Sequence, residues 1–144
     1  MAVINKSALV PYSPDQMFSL VDDVDAYVEF LPWCSGSTVL TRTDADVTAS
    51  LEISHSGFQK TFTTRNVYGE QKTINMHLVE GPFKKLEGVW QFQALGDQGC
   101  KILLDLEFEF SNRLIGMSFG PIFGQMAGNL VDAFTQRAKV VYGE

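Results

Sequence analysis

The stretch Ile102-Leu103-Leu104-Asp105-Leu106-Glu107-Phe108-Glu109-Phe110 alternates bulky apolar residues with, from Asp105 onward, acidic ones. Successive side chains of a β-strand point to opposite faces, so this period of two gives a dry face (Ile102, Leu104, Leu106, Phe108, Phe110) and a wet one (Asp105, Glu107, Glu109). The same period recurs upstream. Val47, Ala49, Leu51 and Ile53 alternate with Thr48, Ser50, Glu52 and Ser54, and Phe58 to Tyr68, Thr73 to Val79 and Lys85 to Leu95 read alike. Turn residues separate these runs at Ser56-Gly57, Gly69-Glu70, Gly81-Pro82 and Gly96-Asp97-Gln98-Gly99. With Ser37 to Arg42 and an N-terminal run from Ala2 to Val10, seven strands are predicted. Most are joined by hairpins into an antiparallel meander.

Three segments leave this period. Ser13-Pro14-Asp15-Gln16 has the N-cap, N1 proline and N3 glutamine of a capping box, and Met17, Leu20, Val21 and Val24 follow on one helical face. A second short helix, Asp25 to Leu31, must stop at Pro32, because the residue before proline is biased away from helical geometry. Beyond Phe110, the residues Phe119, Ile122, Phe123, Met126, Leu130, Ala133, Phe134 and Val141 form a broad apolar stripe that predicts a long C-terminal helix. Its first half carries Gly116, Gly120, Gly124 and Gly128, one every four residues. Glycine costs roughly 1 kcal/mol relative to alanine inside a helix, so the stripe needs close packing on the sheet, or the helix kinks or breaks near Gly120-Pro121. A segment so weakened could also open as a gate over a cavity or dip into a membrane surface. The order of elements is α+β. A curved, seven-stranded antiparallel sheet with one apolar face, two short helices and a long terminal helix as its cover is a helix-grip arrangement.

Composition bounds the function. A chain of 144 residues, 45% hydrophobic with 11 phenylalanines, is expected to form one domain over residues 1–144 with a sizeable core. The net charge of -6 argues against sequence-independent attraction to nucleic acid, and no DNA partner is expected. Cys34 and Cys100 stand far apart without a CxxC pattern, so neither a metal site nor a disulfide framework is indicated. No secretory signal pattern opens the chain, and the uncharged stretch from Leu114 to Val131 is too glycine-rich for a membrane span, so the expected location is cytoplasmic.

Candidate chemistry is sparse. His55 falls in the Ser54-His55-Ser56-Gly57 turn, and alternation points His77 to solvent, opposite Ile74, Met76 and Leu78. Asp105, Glu107 and Glu109 form a solvated ladder rather than an acid/base pair. No catalytic residue is assigned, and a cyclase or hydratase would need polar groups inside. The aromatic inventory is more informative. Phe30, Trp33, Phe83, Trp90, Phe92, Phe119, Phe123 and Phe134 fall where the inner face and its cover meet, and they are the candidate lining of an apolar cavity. Core packing accounts for most of them, yet a bent sheet under one helix seldom closes completely, and ligand pockets run to about 300–1,000 Å³. An isoprenoid or acyl tail would gain about 0.8 kcal/mol per buried methylene there.

Four motifs run together along the chain: Ala8-Leu9-Val10-Pro11-Tyr12-Ser13, Asp25 to Leu31 followed by Pro32-Trp33-Cys34, Lys60-Thr61-Phe62-Thr63-Thr64-Arg65-Asn66, and Gly81-Pro82-Phe83-Lys84-Lys85-Leu86. Together they resemble the coenzyme-Q-binding, polyketide cyclase/dehydrase-like branch of the START superfamily, from Ile4 to Tyr142. The resemblance implies a START-like, Bet v 1-like helix-grip fold with a cavity under the terminal helix. It implies a non-enzymatic protein, with ubiquinone or a similar isoprenoid lipid as ligand, a role in respiration and at most peripheral contact with the inner membrane. Within that branch the chain is especially similar to bacterial ribosome-association toxins, which implies binding to the large ribosomal subunit and blocked subunit joining. An acidic chain would need a local basic face for ribosomal RNA, and Lys84, Lys85, Arg137 and Lys139 are the candidates.

Overall fold

In the computed structural model, which describes residues 2–55, 57–97 and 99–143, strand β1 (Ala2–Val10) leads into helix α1 (Pro14–Asp22). A 3-10 turn (Val24–Ala26) and helix α2 (Tyr27–Phe30) follow. Then come β2 (Cys34–Arg42), β3 (Asp46–His55), β4 (Phe58–Gly69), β5 (Thr73–Glu80), β6 (Phe83–Leu95) and β7 (Gly99–Phe110), and finally α3 (Arg113–Gly128) and α4 (Leu130–Tyr142). Ser56 and Gln98, named above in two turns, lie outside the described residues. Several strands begin earlier than side-chain alternation indicates, β2 at Cys34 and β7 at Gly99, because ladder hydrogen bonds continue where the apolar pattern has faded.

All seven strands form one antiparallel sheet in the order β1-β7-β6-β5-β4-β3-β2. β2 to β7 are the expected meander, while β1 returns to pair with β7 from Ala2 opposite Phe108 to Val10 opposite Cys100. α1 and α2 therefore carry the chain from one edge of the sheet to the other. Register shifts at Cys34/Gly36, Val39/Thr41, Thr63/Thr64 and Phe83/Lys85 bend the strands, which is how a flat ladder becomes a curved grip.

The capping box forms as read: Ser13 Oγ accepts from Gln16 N at 3.1 Å and Gln16 Oε1 accepts from Ser13 N at 2.9 Å. Asp22, at the end of α1, accepts from Arg42 of β2 at 2.9 Å and from the Tyr68 hydroxyl of β4 at 2.7 Å. This polar clasp fixes the helix to two strands.

The cover differs in detail from its expectation. α3 runs unbroken through Gly120-Pro121, and the interruption falls at Asn129, between α3 and α4. Pro121 cannot donate to the Met117 carbonyl, but both residues lie on the exposed side of the helix, where solvent can serve the acceptor, and no break is forced. The interruption shifts the buried positions of α4 to Val131, Phe134 and Ala138, with Tyr142 following, and leaves Val141 48% exposed. The glycine stripe is not a tight contact either. A methyl at Gly116 or Gly120 would touch the Phe110 ring at an ordinary 3.7 or 3.5 Å, and one at Gly124 would meet nothing.

Candidate functional site

Between the concave face and the α3–α4 cover lies an apolar cavity of about 80 Å³. Its sheet wall is built by inner-face residues: Ala49, Leu51 and Ile53 of β3, Phe62, Thr64 and Asn66 of β4, Met76 of β5, Leu86 and Trp90 of β6, and Leu106 of β7. The cover contributes Phe123, Met126 and Ala127 of α3 and Leu130 and Phe134 of α4, and Val24, Tyr27 and Trp33 close one end.

This space is smaller than the ~300–1,000 Å³ expected of a ligand pocket, and the aromatic residues are the reason. Phe134 packs edge-on against Tyr27, Phe30 and Trp90 with ring centroids 5.3, 5.3 and 5.4 Å apart. Phe123 meets Phe83 at 4.9 Å and Phe108 at 4.8 Å. Of the eight candidate lining residues, Trp33, Trp90, Phe123 and Phe134 reach the cavity. The other four stand behind them. Phe30 supports Phe134, Phe83 supports Phe123, Phe92 lies between Phe18 and Trp90, and Phe119 is wedged against Phe110 and Phe123.

The wall is not purely hydrocarbon, a correction to the expectation of a wholly apolar inner face. Thr64 Oγ1 donates to Asn66 Oδ1 at 3.1 Å, and both residues line the cavity. Sequence reading misses them because short polar residues in a strand suggest an outer face. Counting by twos from Phe62 finds them. The titratable group in the wall is Tyr27, whose hydroxyl donates to the Val21 carbonyl. Burial, reinforced by Asp22 and Asp23, pushes its pKa far above the ordinary tyrosine range, so it stays neutral. Trp33 and Met126 also line a surface recess of about 330 Å³, together with Pro32, Ser54, His55, Ile122, Gln125 and Asn129. His55 is exposed at that rim, and His77 is exposed on the outer face, away from the cavity wall.

The candidate basic residues do not make a bare cationic face. Lys84 pairs with Glu109 at 3.4 Å and Lys85 with Glu107 at 2.9 Å, both on the β6–β7 surface. Arg137 of α4 pairs with Glu29 at 2.9 Å and lies 5.0 Å over the Phe30 ring. Lys139 is exposed in the last turn of α4 and makes no ion pair among the described residues. Carboxylates thus match three of the four, as the acidic composition makes natural.

Over residues 10–135 the sequence matches the family described as polyketide cyclase/dehydrase and lipid transport. It is 50% identical to the ribosome association toxin RatA of Escherichia coli, over 99% of this chain and 90% of that protein. The protein of the same name from Vibrio cholerae is 51% identical, with 100% of both chains covered. The mitochondrial coenzyme Q-binding protein coq10 of Schizosaccharomyces pombe is 27% identical, over 93% of this chain and 85% of that protein. Among solved structures, a START superfamily protein from Mycobacterium smegmatis superposes with a TM-score of 0.81 at 23% identity, covering 96% and 98% of the two chains. The Zhui aromatase/cyclase of a Streptomyces species gives a TM-score of 0.81 at 15% identity, covering 96% and 95%.

Proposed function

Because the chain belongs to the polyketide cyclase/dehydrase and lipid transport family, we propose that it is a RatA-type, ribosome-associating protein that holds a neutral isoprenoid lipid in its cavity and catalyses no reaction on it. Residues 1–144 act in this as one domain. The ribosome reading is carried by one observation: half of all positions are identical, along the whole chain, to proteins named ribosome association toxins. Its target is the large subunit, and its effect is to hinder subunit joining. The check is overexpression followed by sucrose-gradient profiles. Free subunits should accumulate at the expense of joined ribosomes, and an unchanged ratio removes the reading.

The ligand reading is carried by the cavity wall, which among the described residues is apolar apart from the Thr64–Asn66 pair, the Tyr27 hydroxyl and the indole N–H groups of Trp33 and Trp90, and contains neither carboxylate nor ammonium. Such a space favours hydrocarbon over charge, because an unpaired charge buried there would keep its full desolvation penalty. Among the described residues the one titratable group of that wall is Tyr27, held neutral on a backbone carbonyl, which favours a carrier over a cyclase even though the fold also serves an aromatase/cyclase. The likeness to a coenzyme Q-binding protein favours ubiquinone or a close analogue. At about 80 Å³ the cavity must widen to admit it, and the flexible side chains of Met76 and Met126 are suited to giving way. Quenching of Trp33 and Trp90 fluorescence by added ubiquinone should saturate, and native mass spectrometry of gently purified protein should show bound lipid. Finding neither would end the carrier reading.

A further inference from the structure

The wall of the cavity has more hydrogen-bonding capacity than the protein itself uses. Thr64 is 8% exposed and spends its hydroxyl proton on Asn66 Oδ1. Asn66 Nδ2, with two protons to give, has no partner among the described residues. The indole N–H of Trp90, a residue only 3% exposed, has none either. Both residues line the same cavity. Asn66 is half-buried, and no fully buried side-chain donor among the described residues lacks a partner, so both groups keep open space beside them and whatever fills that space must pair with them in place of water.

The space beside these donors is filled by side chains that can move. Asn66 stands opposite Met76, Met76 opposite Gly88, and Gly88 opposite Leu106, a single row across β4, β5, β6 and β7. Trp90 is the next inner-face residue after Gly88 along β6. A methyl on Gly88 would come within 2.6 Å of Met76 Cε and 2.9 Å of Leu106 Cδ1, so those two side chains occupy the place a residue there would fill. Met76 is unbranched and able to swing aside, which would lengthen the cavity along this row.

Taken with the reading of the cavity as a ligand site, on which it rests, we propose that Asn66 and Trp90 form a polar subsite for the carbonyl oxygens of a neutral head, such as a quinone, ketone or ester. Thr64 is the positioning residue: by donating to Oδ1 it fixes the amide so that Nδ2 is the group left for the ligand. A carboxylate or ammonium head is excluded, because the wall offers neither a counter-charge nor enough hydrogen-bonding partners to replace its water. Hydrocarbon alone would leave both donors unpaired, so the site selects for a carbonyl and not merely for greasiness.

The test uses a geranyl-substituted benzoquinone, carbon-13 labelled at its carbonyls, and the geranyl hydrocarbon lacking the ring. On binding the full-length protein, the quinone carbonyl stretch should move to lower frequency. In Asn66→Leu that shift should shrink and quinone affinity fall roughly five-fold, the loss of one net neutral hydrogen bond, while hydrocarbon affinity does not fall. Trp90→Phe keeps a ring in place and should show a similar loss, which keeps the test decisive if the leucine variant fails to fold. A wild-type carbonyl stretch that stays where it is in alkane solvent, or variants that bind the quinone as well as wild type does, overturns the subsite and leaves the carrier reading standing. Wild-type protein that binds neither probe overturns the carrier reading and the subsite with it.

Discussion

Tyr27 has its ring in the cavity wall and its hydroxyl on a backbone carbonyl, and burial, then Asp22 and Asp23, raise its pKa from the ordinary 10.0. A group raised in the folded state contributes its stability in full below the unfolded pKa. That contribution is lost as pH climbs past it, because the unfolded chain then releases a proton the folded chain keeps. Tyr27→Phe should cost about 1 kcal/mol near neutral pH, through the missing hydrogen bond, yet flatten the fall in stability above about pH 10. Urea denaturation at neutral and alkaline pH checks both halves. At Gly88, substitution by valine forces Met76 and Leu106 aside and should destabilise by about 1–3 kcal/mol while shrinking the cavity. Thermal unfolding reads the first effect and tryptophan quenching by ubiquinone the second. Large inner-face aromatics are legible from sequence because bulky apolar groups must be buried somewhere. Whether each faces the hole or backs its neighbour is not, since Phe134 and Phe30 differ only in which one the other supports. Asn66 is hidden for a different reason: its residue type argues for solvent and only its parity argues for the interior.

Each secondary element has its own sequence signal, and the signals differ in what they specify. The strands and the capping box of α1 are readable because alternation and capping are local, and the structure follows them closely. The division of the cover into α3 and α4 is not readable. Leu130, Ala133 and Phe134 keep helical spacing from Met126, so periodicity passes straight over the interruption at Asn129. α3 is held below its attainable stability, since nothing stands within reach of a methyl on Gly124. Gly124→Ala should therefore stabilise the protein by up to about 1 kcal/mol, seen as a raised Tm. If α3 must yield for ligand to enter, the same variant should slow uptake of ubiquinone in stopped-flow quenching without changing the final amplitude. The clasp at the end of α1 is partly solvated, with the Arg42 side chain 42% exposed. Its removal in Asp22→Ala should cost only about 1 kcal/mol despite the ionic partner.

Across the whole molecule, a net charge of -6, with Lys84 and Lys85 paired to carboxylates, leaves little net positive field to attract RNA. Proteins that bind through many phosphate contacts lose about 10³–10⁵ in affinity between roughly 50 and 200 mM salt. If the chain associates with ribosomes as proposed, its co-sedimentation with them should weaken far less over that range, as expected when a shaped surface rather than a field makes the contact. A slope as steep as that of a phosphate-driven binder would refute this. The pairing of the first strand with the last has a further consequence, for synthesis. β1 is made before its neighbour, which follows about 90 residues later. At about 5–20 residues per second the N-terminal strand waits on the order of ten seconds with both edges unpaired. Until β7 arrives β1 has no ladder to join, so a truncated product ending before Gly99 should leave β1 more open to proteases and chaperones than in the finished protein, where β7 covers one of its two edges.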